Sequence, residues 1–400
     1  MLTTLDEMPW HQFPDTFDHV ATSDPRFFDR HWFAIYDQKG SAALQATMGV
    51  YSNMNVADAG FVAVVGEQQA NVRSSRTLRP RMEMVVDPIS IEVVQPFQSI
   101  RIRVEPTADS DTSADLIWTA RWPASEEAPH FIRKRGRVTD NYRRYEQLGS
   151  CTGWFDPGTG RREVEDWWAV HDHSWGVRPG MGMPEPLTGP DDVEAVRLRE
   201  KTEDTGRVTA WGLTSSADRF LNQLTFFTTP RLSGHVLFFY RGDDRVRLDS
   251  VLYSEQDGAI VPVKVSDCET TMRLVPGTDR FEQLSARLHL DDGQTVDLEM
   301  NAQGRAVVMA GLGYSGGYDD GRGLGVWRGH DLVERDIWEL PAVDEVVFGS
   351  TNAMSRPLHR LQPVTVTARG AGLDGVGTGS TTLVFNGLPP RGMELPGTLS

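Results

Sequence analysis

Turn signals recur at short intervals along this chain, and each sits between two runs of alternating or β-branched residues. The clearest spans Ala286 to Met300, where Leu288, Leu290, Val296, Leu298 and Met300 alternate with polar residues about Asp292-Gly293. Asp-Gly supplies the positive φ angles of a tight type I′ turn, so the segment reads as a β-hairpin. Similar units lie at Phe33 to Ala43 around Lys39-Gly40, Trp154 to Trp168 around Pro157 to Gly160, Phe238 to Leu248 around Gly242 to Asp244, and Val251 to Val265 around Gln256 to Gly258. No strand–helix–strand rhythm repeats. The pattern predicts an all-β fold of antiparallel barrels or sandwiches.

A chain of 400 residues exceeds one small core, so two domains are expected. Pro179 to Pro190 contains four prolines and three glycines and cannot form a regular element. It divides the chain into an N-terminal β domain, 1–178, a connection, 179–190, and a C-terminal β domain, 191–400. One short helix is predicted over Arg26 to Trp32, capped by Ser23 or Asp24 with Pro25 in its first turn. Asp191 to Glu203 fits neither the helical nor the strand period. The aromatic residues of Trp10 to Phe33 read as a plug at a barrel end, and Phe226-Phe227, Phe238 to Tyr240 and Trp211 as second-domain core.

Charge excludes some partners. Forty basic residues against 56 acidic ones give −16, which argues against nucleic acid and acidic membranes. The basic run His130 to Arg137 reads as a solvated strand or turn. No apolar run approaches the roughly 20 residues of a membrane helix, so no integral membrane segment is expected. Met1 to Trp10 does not read as a signal peptide, which points to the cytoplasm. Cys151 and Cys268 form neither a disulfide framework nor a metal pattern and are expected as buried thiols.

The densest chemistry is Glu165 to Gly176. As a strand, it places Trp167, Ala169, His171, His173 and Trp175 on one face and Trp168, Val170, Asp172 and Ser174 on the other. Two imidazoles between two indoles suit a ligand pocket with aromatic walls. Two chemistries fit. His171-x-His173 could hold a divalent metal with a third ligand such as His235, His289 or His330. Alternatively, Asp172 or an imidazolium could donate a proton in an apolar site, with Trp faces stabilising the developing positive charge. The second needs no metal and no cofactor. Gly311-Leu-Gly-Tyr-Ser-Gly316 matches G-x-G-x-x-G, but the glycine-rich stretch after it cannot form the helix a dinucleotide site requires. A close backbone approach or glycine-rich turn is expected there, with Tyr314, Tyr318, Asp319 and Trp327 as further pocket candidates.

His171-Asp-His-Ser-Trp-Gly176 resembles the D-H-x-W-G-like signature of the superfamily that includes hydroxyneurosporene synthase (a carotenoid hydratase), AttH-like proteins and tocopherol cyclase. Asp172, His173 and Trp175 are the matching positions; Ser174 stands where a larger polar residue is frequent, and His171 precedes the aspartate. Gly311 to Trp327 is similar to a late glycine- and Trp-containing segment of relatives. The resemblance implies two tandem lipocalin-like barrels and cofactor-free hydration, dehydration, isomerisation or cyclisation of a hydrophobic terpenoid, steroid-like or aromatic substrate. Asp172 or His171 would then be the proton donor and His173 its partner or the base. Trp167, Trp168, Trp175, Tyr314 and Trp327 would bind the substrate. A non-catalytic carrier of a hydrophobic molecule and a metal enzyme built on His171 and His173 are the rival readings, and a homodimer is compatible with either.

Overall fold

The computed structural model describes residues 2–9, 11, 14–108, 110–134, 137–182, 220–241, 244–275, 281–314, 323–330, 332–340 and 360–386. The first half supplies β1 (Phe27–Tyr36), β2 (Ala42–Tyr51), β3 (Val56–Val65), β4 (Gln68–Thr77), β5 (Val85–Val86), β6 (Ile89–Gln95), β7 (Ser99–Val104), β8 (Ser113–Ala120), β9 (Ser125–Glu126), β10 (His130–Lys134), β11 (Arg137–Asp156) and β12 (Arg162–Val177). The second supplies β13 (Phe220–Thr228), β14 (Leu232–Arg241), β15 (Asp244–Gln256), β16 (Ala259–Val263), β17 (Val265–Leu274), β18 (Phe281–Leu290), β19 (Thr295–Ala302), β20 (Val307–Val308), β21 (Val333–Glu339), β22 (Arg360–Arg369) and β23 (Gly375–Asn386). The fold is all-β, as the hairpin spacing predicts.

These strands form two antiparallel sheets. The first runs β21-β4-β3-β2-β1-β12-β11-β8-β7-β6-β5, with β9 and β10 on β11. It curls until its far ends meet: Ser74 Oγ on β4 donates to the Val86 carbonyl on β5 at 3.0 Å. The second runs β16-β15-β14-β13-β23-β22-β19-β18-β17, with β20 on β22. It curls likewise, since Arg245 on β15 donates to the Cys268 carbonyl on β17 at 2.8 Å. β21 lies in the second half of the sequence but pairs with β4, so one strand crosses the division made at 179–190.

Sequence pattern sets where each strand sits. β18 and β19 alternate because one face meets the second sheet's core and the other meets water. β2 and β3 are buried along nearly their whole length, and Val56–Val65 reads VADAGFVAVV, apolar at all but two positions. Their inner side chains, such as Leu44 and Phe61, fill the first barrel. Their outer ones, Ala43, Val62 and Val64, join Trp32, Trp168 and Phe226 in a layer between the two sheets. A strand covered on both sides needs such a composition.

Four local expectations change. Arg26 to Trp32 holds no helix: β1 starts at Phe27. Asp24 caps a turn instead, its carboxylate accepting from the Arg26 backbone N–H at 2.8 Å and from the Arg26 guanidinium. Phe28, Trp32 and Phe33 therefore build the barrel wall rather than a plug, while Trp10 and Phe13 lie outside the described residues. The Asp292-Gly293 hairpin holds, but not as a type I′ turn. Only Gly293 has positive φ, at +83°, because Gly293 N–H bonds to the Leu290 carbonyl in a three-residue loop. Phe226 faces the layer between the sheets rather than the second core, whereas Phe227 and Phe238 enter that core. Gly311 shows the close approach expected of it, since a Cβ there would fall 2.1 Å from Asn71 Oδ1. Asp191 to Glu203, Trp211, Tyr318 and Asp319 lie outside the described residues. No helix among those described is long and apolar enough to cross a membrane.

Candidate functional site

β12 is the shared wall of the two compartments. It pairs with β1 on one side and β11 on the other, in register from Trp168 to Val177. The predicted alternation holds. Trp167 and Ala169 belong to the first barrel's core, and Trp168 and Val170 to the layer between the sheets.

The barrel face carries the histidines. His171 is 1% exposed, and its Nε2 lies 2.8 Å from Nδ1 of His31 on β1. Its ring stacks on Phe33 at 4.6 Å and meets Trp118 edge-on at 5.3 Å. His171 Nδ1 has no partner. Burial, reinforced by the neighbouring imidazoles, holds His31 down at about 3 and His171 well below the usual histidine range. Both are neutral at pH 7 and share one N–H between them, so they can accept or relay a proton but carry no charge. His173 is nearer the rim; its Nε2 bonds Asp29 at 2.7 Å and its ring stacks 4.0 Å from His31. Trp175 packs 5.3 Å from His173, and Trp167 packs on Phe155.

This geometry bears on the metal reading. His171 and His173 lie 6.4 Å apart by ring centroid, and each spends its Nε2 on a different neighbour. His31 stands between the two rings, yet among the described residues the three imidazoles do not gather as a set of metal-ligating atoms. His289 bonds Glu269 on the surface, and His330 packs against Trp327. His235 alone of the three candidates reaches a metal-competent group, and it does so on the opposite side of β12.

That opposite side carries Asp172. Its carboxylate accepts from Arg144 Nη1 at 3.3 Å. Arg144 Nη2 donates to Glu127 Oε2 at 2.9 Å, and its Nε lies 3.5 Å from Glu146 Oε1. His130 Nε2 also meets Glu127 Oε2, at 2.6 Å. The second sheet closes the cluster: His235 Nδ1 on β14 lies 3.6 Å from Glu146 Oε2, and Arg247 on β15 bonds Asp249 at 2.8 Å. Glu127, Glu146 and His235 are fully buried. Burial raises Asp172 against the pull of Arg144. Burial and the adjacent Glu127 carboxylate push Glu146 far up, while Arg144 overrides burial at Glu127 and keeps it low. Burial lowers His130 to about 4.

The aromatic side of this layer is continuous with the cluster along β12. Trp168 stacks on Tyr36 at 5.4 Å, Trp32 lies 6.4 Å from Phe226, and the Trp168 indole N–H has no partner. Tyr314 sits under the Arg30 guanidinium at 5.5 Å. Trp327 is 45% exposed, set against His330. Both cysteines are buried, with burial pushing Cys268 up to about 12 and Cys151 further. A cleft of about 320 Å³ opens between Gly40–Ala43 and Gln303–Arg305, with no β12 residue in its lining.

Residues 2–197 match the model of a family of unknown function, DUF8625. No curated protein matches the chain. Among solved structures, it is similar to a putative AttH from Nitrosomonas europaea, with 11% identity, 94% of this chain and 98% of that one covered, and a TM-score of 0.47. It is also similar to CghA bound to Sch210972, at 10% identity, 91% and 90% coverage and a TM-score of 0.45. A third is kievitone hydratase from Nectria haematococca, at 9% identity, 89% and 88% coverage and a TM-score of 0.43.

Sequence reasoning missed Glu127, Arg144, Glu146 and Arg247. Arg144 and Glu146 sit on an alternating polar stretch of β11, Glu127 just after the short β9, and Arg247 on β15 of the second sheet, so each reads as solvent-facing until the two sheets meet. One local signal existed: Arg144, Glu146 and Leu148 share a face of β11, and a buried Leu at its end marks that face as covered.

Proposed function

We propose that this chain is an acid–base hydratase, dehydratase, isomerase or cyclase acting on a hydrophobic terpenoid, steroid-like or aromatic molecule in the layer between the two sheets. The observation that carries the reading is the orientation of Asp172. The one carboxyl of the His171 to Gly176 motif turns away from the neutral histidines and into the aromatic layer, with Arg144 at hydrogen-bond distance. Asp172 delivers the proton, and the faces of Trp168 and Trp32 meet the positive charge that protonating a double bond creates. Arg144 orients the carboxyl. His171, His173, Trp167 and Trp175 hold β12 from behind; in this reading they position Asp172 and do not touch substrate. The orphaned Trp168 N–H is a group that a substrate oxygen could satisfy.

The test begins with mass spectrometry of whatever small molecule co-purifies, followed by turnover of that molecule or its analogues. Asp172→Asn is expected to lower kcat by about 100-fold or more, the usual contribution of a general acid. Undiminished kcat in that variant would remove Asp172 from the chemistry. Recovery of an unchanged lipid that the protein never converts would place the chain among carriers instead.

A further inference from the structure

Glu127, Glu146 and His235 meet where the two sheets touch. Glu127 and Glu146 can bond each other only by sharing a proton, and neither ring nitrogen of His235 has a hydrogen-bond partner. All three side chains are 0% exposed. One ligand atom from each lies within 4.8 Å of the others. Buried polar atoms normally find partners, and a buried imidazole with neither nitrogen bonded is rare. Two carboxylates and an imidazole are the donors that divalent first-row metals take.

We infer that Glu127, Glu146 and His235 form a binding site for one divalent transition-metal ion of the Zn²⁺ class, which ties the first sheet to the second. Tetrahedral coordination at about 2.0–2.1 Å separates ligand atoms by roughly 3.4 Å. His235 Nδ1 and Glu146 Oε2 already stand 3.6 Å apart, so small side-chain rotations complete the set. Outer contacts are in place as well. Glu127 keeps Oε2 on Arg144 and His130, which fixes the carboxylate's orientation and leaves Oε1 without a bond. Charge favours a cation: Glu127, Glu146, Asp172 and Asp249 crowd the spot, and the guanidiniums that touch them, Arg144 and Arg247, leave both Glu146 oxygens without a donor. Asp172, which the proposed reaction uses, is linked to Glu127 through Arg144 but supplies no ligand to this site.

The experiment is metal analysis of untagged protein purified without chelator. Roughly one divalent ion per chain is expected, falling to background in Glu146→Gln and His235→Gln and persisting in His289→Ala, whose imidazole bonds an exposed glutamate. Because the first two variants could fail to fold, wild-type protein stripped with a chelator is titrated with Co²⁺. Visible absorption bands saturating at about one equivalent, and a rise in Tm on adding Zn²⁺, support the site. Metal-free protein that shows neither cobalt bands nor a Tm shift with Zn²⁺, Mn²⁺ or Co²⁺ overturns it and assigns the Glu127–Glu146 pair a shared proton instead. Failure here leaves the Asp172→Asn prediction untouched, and failure of that prediction leaves the metal content unchanged.

Discussion

One strand, β12, carries two chemically opposite faces within a few ångströms. On the barrel side, His31 and His171 are neutral, stacked among Phe33 and Trp118, and bonded to each other. On the other side, Asp172 belongs to a network of carboxylates and guanidiniums contributed by both sheets. Both groups of side chains are buried, yet burial acts differently in each. Where groups of one kind gather with no counter-charge, they lose their protons and become polar packing. Where acids and bases gather together, charge survives at Glu127 and Arg144 while Glu146 and Asp172 hold protons more firmly, and reactivity becomes available.

The comparison can be broken most forcefully at Arg144. Arg144→Met strips Glu127 and Asp172 of their guanidinium and should cost about 3–5 kcal/mol, the penalty of leaving buried charge unpaired, read from urea unfolding. A loss below about 1 kcal/mol would mean the cluster is already protonated or wet. The histidine face predicts a pH signature next. The folded-state pKa values of His31 and His171 lie below the unfolded value of about 6.5, so unfolding takes up protons. Stability is therefore full above pH 6.5 and falls as the pH drops toward His31's value of about 3. Each histidine contributes a slope of up to about 1.4 kcal/mol per pH unit. Melting from pH 7 to 4 checks this, and the slope should shrink in a His31→Leu/His171→Phe double variant.

A smaller effect separates polar packing from charge. His171→Phe alone should cost about 1–3 kcal/mol because it orphans His31 Nδ1, while adding His31→Leu should recover much of that loss. Additive losses would show that the two rings do not act as a pair. The smallest change belongs to His173, nearer the rim. His173→Ala, which loses one exposed bond to Asp29, should stay within about 1 kcal/mol.

The sequence made one half of this contrast readable. Alternation along Trp167 to Trp175 assigns every β12 side chain to the face it occupies, because a strand's period of two survives any tertiary context. The hairpins were legible for the same local reason. The cluster was not: Glu127 follows a two-residue strand, Glu146 lies in a polar stretch of β11, and His235 comes from the other sheet. No short-range pattern encodes a meeting of residues more than 100 positions apart. The helix expected after Pro25 failed for a related reason, since Asp24 can cap a turn or a helix and pairing of Phe27–Tyr36 with two neighbours decided between them.

The crossing of β21 onto β4 has a consequence for how the molecule is made. As the chain leaves the ribosome, β4 is complete about 260 residues before its outer neighbour has been synthesised. At translation rates of 5–20 residues per second, that flank stays open for roughly 10–50 s. During this interval the nascent first barrel offers a free row of backbone donors and acceptors to any passing strand. A fragment ending near residue 197 would keep that vulnerability permanently. Supplying the Val333–Glu339 heptapeptide in trans is the direct way to see whether its aggregation is relieved.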